Sequence, residues 1–227
     1  MLRALAVGVA ALALTACPFR GTLPAREFYR LTIPDTAPVT LPESADGGRA
    51  AHALPLGAVA VAPYETPGLY GEGSIIFRVG DSRYGAYPTR EWALPLSEML
   101  GVMTERVLHA VPLTAGQAIY DPPSQHALPY IWQGIVRRFE EVDRGQDVFA
   151  AVRLDARLVR SADDSVLWSG SVNLERPVPR PTMDAIVQML SELADEGITT
   201  LAEQARDALP AGPATPTPPA RPARNQR

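Results

Sequence analysis

Apolar and polar positions change their spacing several times along the chain, and each change marks an element. Residues 4–14 form an uncharged run of Ala, Leu, Val and Gly, shorter than the ~20 apolar residues of a spanning helix. Residues 28–33 are β-prone and lie between Pro24 and Pro34, which predicts a short strand. Residues 35–55 carry Pro, Gly, Ser, Asp and Ala without periodicity and read as a surface loop. Residues 57–62 make a small-residue strand buried on both faces, ended by Pro63. Residues 74–79 and 83–87 flank Gly80-Asp81-Ser82 as a hairpin. Pro88-Thr89-Arg90-Glu91 then predicts the start of a helix with Thr89 as its N-cap. Trp92, Leu94, Leu96, Met99, Leu100, Met103, Val107 and Leu108 keep helical spacing to residue 110, and Pro112 closes it. Residues 118–120 form a short strand, and 121–124 a loop.

Three strands follow. Residues 129–142 place Ile131, Ile135 and Phe139 on one face and Tyr130, Trp132 and Val136 on the other. Residues 147–160 alternate more cleanly, with Val148, Ala150, Val152, Leu154, Ala156 and Leu158 opposed to Arg153, Asp155 and Arg157. Such a pattern belongs to a sheet with one buried and one wet face. A turn at 162–165 leads to a strand over 166–173. A long helix over 183–209 turns Ile186, Leu190, Leu193, Ile198 and Leu201 to the core. No internal repeat is present. The expected architecture is one α/β (α+β) domain, a mixed, mostly antiparallel sheet with two main helices packed on one face.

Composition changes this picture at the two ends. The 227 residues are 46% hydrophobic, enough for one core. All basic residues are arginine, and the net charge is −4. Every acidic residue lies between Cys17 and Leu209, so the body is more acidic than the whole. That balance argues against a nucleic-acid binder. Residues 210–227 are proline-rich, hold Arg221, Arg224 and Arg227 and no acid, and read as an extended tail that cannot fold alone.

The single cysteine excludes a disulfide framework and a multi-thiolate zinc site, yet its position is informative. Arg3, the apolar run and small residues after it describe a signal peptide over 1–16. Leu14-Thr15-Ala16-Cys17 resembles the lipobox of bacterial lipoproteins. That resemblance implies a diacylglycerol and an N-acyl chain on Cys17, with cleavage just before it. Several acyl chains on one residue anchor a protein stably. By the same resemblance Pro18, rather than Asp, favours the outer membrane. Residues 17–27 then form a lipidated leash and 28–209 the folded domain.

Catalytic and metal constellations are not found, and no cofactor is expected beyond the acyl groups. Glu72-Gly73-Ser74-Ile75-Ile76 lacks the second glycine of a nucleophile elbow. With no lysine there is no phosphate-binding loop. His52, His109 and His126 lack ligand spacing and read as surface residues. Glu140, Glu141, Asp143 and Asp147 read as solvated charges at a strand-end turn, against a carboxylate pair or cation site. Glu192, Asp195, Glu196, Glu203 and Asp207 read as a solvated helix face rather than a partner surface, and Trp92, Trp132 and Trp168 as core or sheet-face residues.

The order of several short motifs resembles a known family. These are the lipobox, Phe28-Tyr29-Arg30-Leu31, Val59-Ala60-Val61-Ala62-Pro63-Tyr64, and Ile75-Ile76-Phe77-Arg78. A stretch with Tyr87, Trp92, Pro95 and Leu96 follows, then Arg138-Phe139-Glu140, two strands and a terminal helix. The pattern, over residues 28–209, is similar to the ABC-type transport auxiliary lipoproteins, the paraquat-inducible protein C-like family. Its motif positions here are Tyr29, Pro63, Tyr64, Arg78, Trp92 and Phe139; Ala93-Leu94 stand where relatives often carry an acid. The resemblance implies a non-enzymatic lipoprotein on the periplasmic face of the outer membrane. It would work beside a mammalian-cell-entry (MCE) domain protein and an ABC permease and ATPase in lipid transport. A homo-oligomer is compatible with it. Rival readings are a secretin pilot, a lipopolysaccharide-assembly partner, or a periplasmic hydrolase.

Overall fold

The computed structural model describes residues 25–32, 57–114, 116–120 and 128–209. Their elements in chain order are β1 (Glu27–Tyr29), β2 (Val59–Val61), a 3-10 turn (Gly68–Gly71), β3 (Ser74–Val79) and β4 (Arg83–Trp92). There follow α1 (Leu96–Ala110), β5 (Ala118–Tyr120), β6 (Tyr130–Arg144), β7 (Asp147–Arg160), β8 (Ser165–Pro177) and α2 (Met183–Ala208). The signal peptide, Cys17, the 35–55 loop, His52, His126 and the tail lie outside the described residues.

β6 is the spine. One of its edges pairs antiparallel with β7 along nearly its whole length, and β7 pairs in turn with β8. The other edge is shared. β2 runs parallel to the start of β6, an isolated bridge joins Glu65 to Ile135, and β3 runs parallel to residues 140–143. β5 extends the β2 side, while β4 and then β1 extend the β3 side. The result is the mixed, mostly antiparallel eight-stranded sheet that the alternation predicts.

Both helices cover one face. Leu96, Met99, Leu100, Met103 and Val107 of α1 and Ile186, Leu190, Leu193, Ile198 and Leu201 of α2 share a core with Trp132, Val136, Val152, Leu154 and Leu158. Thr182 caps α2 by accepting from the Ala185 N–H at 3.2 Å. Gly134 is required where it stands, because a Cβ there would lie 2.2 Å from the Tyr64 ring.

Two expectations about the elements and their faces are corrected by the structure. Residues 88–92 belong to β4, not to a helix capped by Thr89. Their register with β1 (Arg90 with Glu27, Trp92 with Tyr29) holds them extended. The Trp92 N–H also donates to the Gly73 carbonyl at 2.7 Å. Pro88, which has no N–H to give, falls among residues 87–90 that β3 leaves unpaired. α1 starts only after Pro95, and Leu94 is 51% exposed, off any core face. Trp92 kept helical spacing with Leu96 by coincidence of register. The second correction concerns Phe139. A bulge between Val136 and Arg138 adds one residue to β6, so Phe139 joins Trp132 and Val136 on the helix side instead of Ile131 and Ile135.

Candidate functional site

The six motif positions fall into local clusters. Tyr64 is buried, its hydroxyl 2.9 Å from Thr104 Oγ1 on α1 and 3.5 Å from the Trp132 indole N–H. Burial pushes its phenol up, against those two hydrogen bonds. Pro63, half-buried, leads from β2 into this contact. Trp92 and Phe139 meet edge to face at 5.8 Å, and Tyr29 stands in register beside Trp92, donating its hydroxyl to Glu27 at 2.8 Å. These five shape the core and the β1 edge.

Arg78 does something different. It is 8% exposed and lies on the sheet face away from the helices, where Glu140, 0% exposed, receives its Nε at 2.9 Å. The other groups donating to Glu140 are Tyr70 through its hydroxyl at 2.6 Å and Arg138 through Nε at 3.2 Å. Arg138 also reaches Glu175 at 3.1 Å, and Arg144 reaches Glu175 at 2.7 Å. A lattice of alternating charge thus ties β3, β6 and β8 together. Burial would raise the Glu175 carboxyl, but Arg138 and Arg144 outweigh it and hold it below the usual range. Burial pushes the Tyr70 phenol up, and its bond to Glu140 adds to that.

The reading of Glu140 and Glu141 as solvated turn charges is therefore overturned for both. Glu141 is buried on the helix face and accepts the Tyr87 hydroxyl at 2.7 Å. Burial pushes its carboxyl up, and that hydrogen bond opposes the rise. Strand β6 simply runs two residues further than its alternation suggested, so the turn begins later. Asp143 and Asp147 do sit at the hairpin, Asp143 accepting the Gly145 N–H at 2.9 Å. The signal in the sequence was Arg78 opposite Arg138-Phe139-Glu140: a carboxylate inside a strand needs a cation on the neighbouring one.

Farther along the same face, Arg137, Arg153 and Arg157 line a groove of about 500 Å³ with Gln133, Asp155 and Ser171. Burial would raise the Asp155 carboxyl, yet the Arg137 hydrogen bond and the charges of Arg137 and Arg153 hold it below its usual range. The helix side carries the opposite sign. On α2, Asp195 pairs with Arg106 of α1 and Glu196 with Arg176 of β8. Glu192, Glu203 and Asp207 stay exposed, although Asp207 pairs with Arg206 at 3.1 Å and Glu192 accepts from Gln188 at 3.0 Å. Trp132 stacks on Trp168 at 5.5 Å as a core pair. Ser74 makes no side-chain hydrogen bond among the described residues, and His109 is exposed at the end of α1. No group of metal-ligating side chains occurs among the described residues. A second pocket, of about 270 Å³, lies between the 3-10 turn and the β4–α1 connection, with Tyr70, Trp92 and Leu94 in its wall.

What this arrangement defines is a sheet-and-helix module with a shared core on one face and a charge lattice on the other. The model of the ABC-type transport auxiliary lipoprotein component matches residues 40–203, and the chain belongs to that family. It is thus a lipoprotein of the cell envelope and an auxiliary component of ABC-type transport. No helix among the described residues is long and apolar enough to cross a membrane. Among solved structures, the chain is similar to protein XCC0632 from Xanthomonas campestris, at 20% identity and a TM-score of 0.60, covering 80% of this chain and 96% of that one. An uncharacterized protein is similar at 14% identity and 0.58, covering 79% and 98%. These likenesses establish the fold. PelC of Paraburkholderia phytofirmans, a dodecamer, is more distant at 15% identity and 0.45, covering 69% and 93%. No curated protein matches significantly.

Proposed function

We propose that the chain is held to the periplasmic face of the outer membrane through acyl groups on Cys17. There it docks an MCE-domain protein whose ABC permease and ATPase move phospholipid between the two membranes. The family match over residues 40–203 carries this reading. Leu14-Thr15-Ala16 before Cys17 supply the processing site, and residues 17–27 the leash. The role is non-enzymatic: the motif residues hold a core and a charge lattice, and a docking module needs only a stiff surface. β8 pairs with β7 alone among the described residues, so its other edge presents main-chain groups to which a partner strand can add. Val166 on that edge is 54% exposed.

Transfer of radiolabelled phospholipid between inner and outer membranes of the native cell tests the role. Deleting this gene, the MCE gene, or both is expected to slow transfer to the same extent, with wild-type protein restoring it. Normal transfer in the single deletion, or additive defects in the double, would contradict the proposal.

A further inference from the structure

The bulge in β6 turns two consecutive arginines to one face. Val136 and Phe139 both face the helices, so Arg137 and Arg138 both project from the other side. Arg138 is absorbed by Glu140 and Glu175. Arg137 instead gives its Nε to Asp155 at 2.6 Å and joins Arg153 and Arg157 around the groove. The register puts Arg157 opposite Gln133, which accepts its Nε at 2.6 Å, and Asp155 opposite Ile135 and Ser171. Arg153 makes no hydrogen bond or ion pair among the described residues, though Asp155 feels its charge. One carboxylate therefore stands among three arginines, and these residues line an open groove of about 500 Å³.

We propose that this groove binds the phosphate of an anionic phospholipid headgroup at the bilayer surface, turning the outer sheet face toward the membrane. Guanidinium forks match phosphate oxygens in pairs. The groove has the size of a small-molecule site. Its arginine, glutamine and serine side chains suit a headgroup, beside the apolar Ile135 and Ala156 in the same wall, and the acyl chains stay in the bilayer. Charge sets the orientation: the exposed acids of α2, Glu192, Glu203 and Asp207, lie on the opposite side, where an anionic surface repels them. A short leash raises the effective concentration of headgroups at the groove. The inference rests on the lipid anchor proposed above and on nothing about the transporter.

The test is arginine footprinting with phenylglyoxal, read by mass spectrometry. It uses the mature protein, its acyl mass verified first, in vesicles of phosphatidylcholine with or without phosphatidylglycerol. The acyl mass decides the anchor; the footprint decides the groove. Phosphatidylglycerol is expected to slow modification of Arg137, Arg153 and Arg157 about tenfold, the factor one charge-assisted hydrogen bond supplies, and to leave Arg176 unchanged. Arg153→Gln, at an exposed site, is expected to abolish the protection of Arg137 and Arg157 without moving the urea midpoint. Glycerol phosphate added to phosphatidylcholine vesicles is expected to protect nothing. Equal protection by glycerol phosphate would overturn the lipid assignment in favour of a soluble phosphate. Protection by polyglutamate would overturn it in favour of an acidic protein segment, and no protection in any vesicle would overturn the site itself.

Discussion

Arg78→Ala is expected to destabilise the domain by about 3–5 kcal/mol, a large part of the stability of a domain this size. The loss does not equal the worth of the ion pair. It comes from leaving Glu140, fully buried, without the guanidinium 2.9 Å away, while Tyr70 and Arg138 remain too few to replace its solvation. Removing both charges together, as in Arg78→Met with Glu140→Leu, is therefore expected to cost much less than the single change, because no buried carboxylate is left short of partners. Urea unfolding of the three proteins checks this. A single variant within 1 kcal/mol of wild type, or a double variant worse than the single, would refute the reading of this pair as a mutually dependent buried unit.

Cys17→Ala is expected to remove the protein from the outer membrane altogether. Each buried methylene is worth about 0.8 kcal/mol, and only several chains together give a stable anchor. If Cys17 carries the proposed acyl groups, the variant is expected to gain none and to keep residues 1–16 uncleaved. Density fractionation with intact mass measurement of the recovered protein reads both effects. Normal outer-membrane recovery of the variant would show that something other than Cys17 holds it there.

Much of the fold was legible because burial writes itself into period. β7 alternates in burial from Val152 to Leu158, and its pattern named both the core face and the wet face. The long terminal helix and the hairpin at Gly80 were equally plain; Gly80 has φ +62°, a conformation that suits glycine. On β6 the reading failed through a single residue of register. The bulge after Val136 has no compositional mark, yet it reverses the face of Phe139 and gives the outer surface a second arginine in succession. The β4–α1 boundary failed because Trp92 and Leu96 are four apart in either conformation; parallel pairing with β1, a contact distant in sequence, decided it. The charge lattice was hidden for the same reason. Glu140 looks like a turn acid until β3 brings Arg78 beside it. Its partner lies 62 residues away, and local spacing cannot register that.

The central claim, that this lipoprotein serves an MCE-type transport complex, is tested most directly by affinity capture from native envelopes after brief crosslinking. The tag belongs on the C-terminal tail, away from the acylated end. The account predicts recovery of an MCE-domain protein with its permease and ATPase, lost when the bait carries Cys17→Ala. Recovery of a secretin or of a lipopolysaccharide-assembly barrel, with no MCE protein, would contradict it.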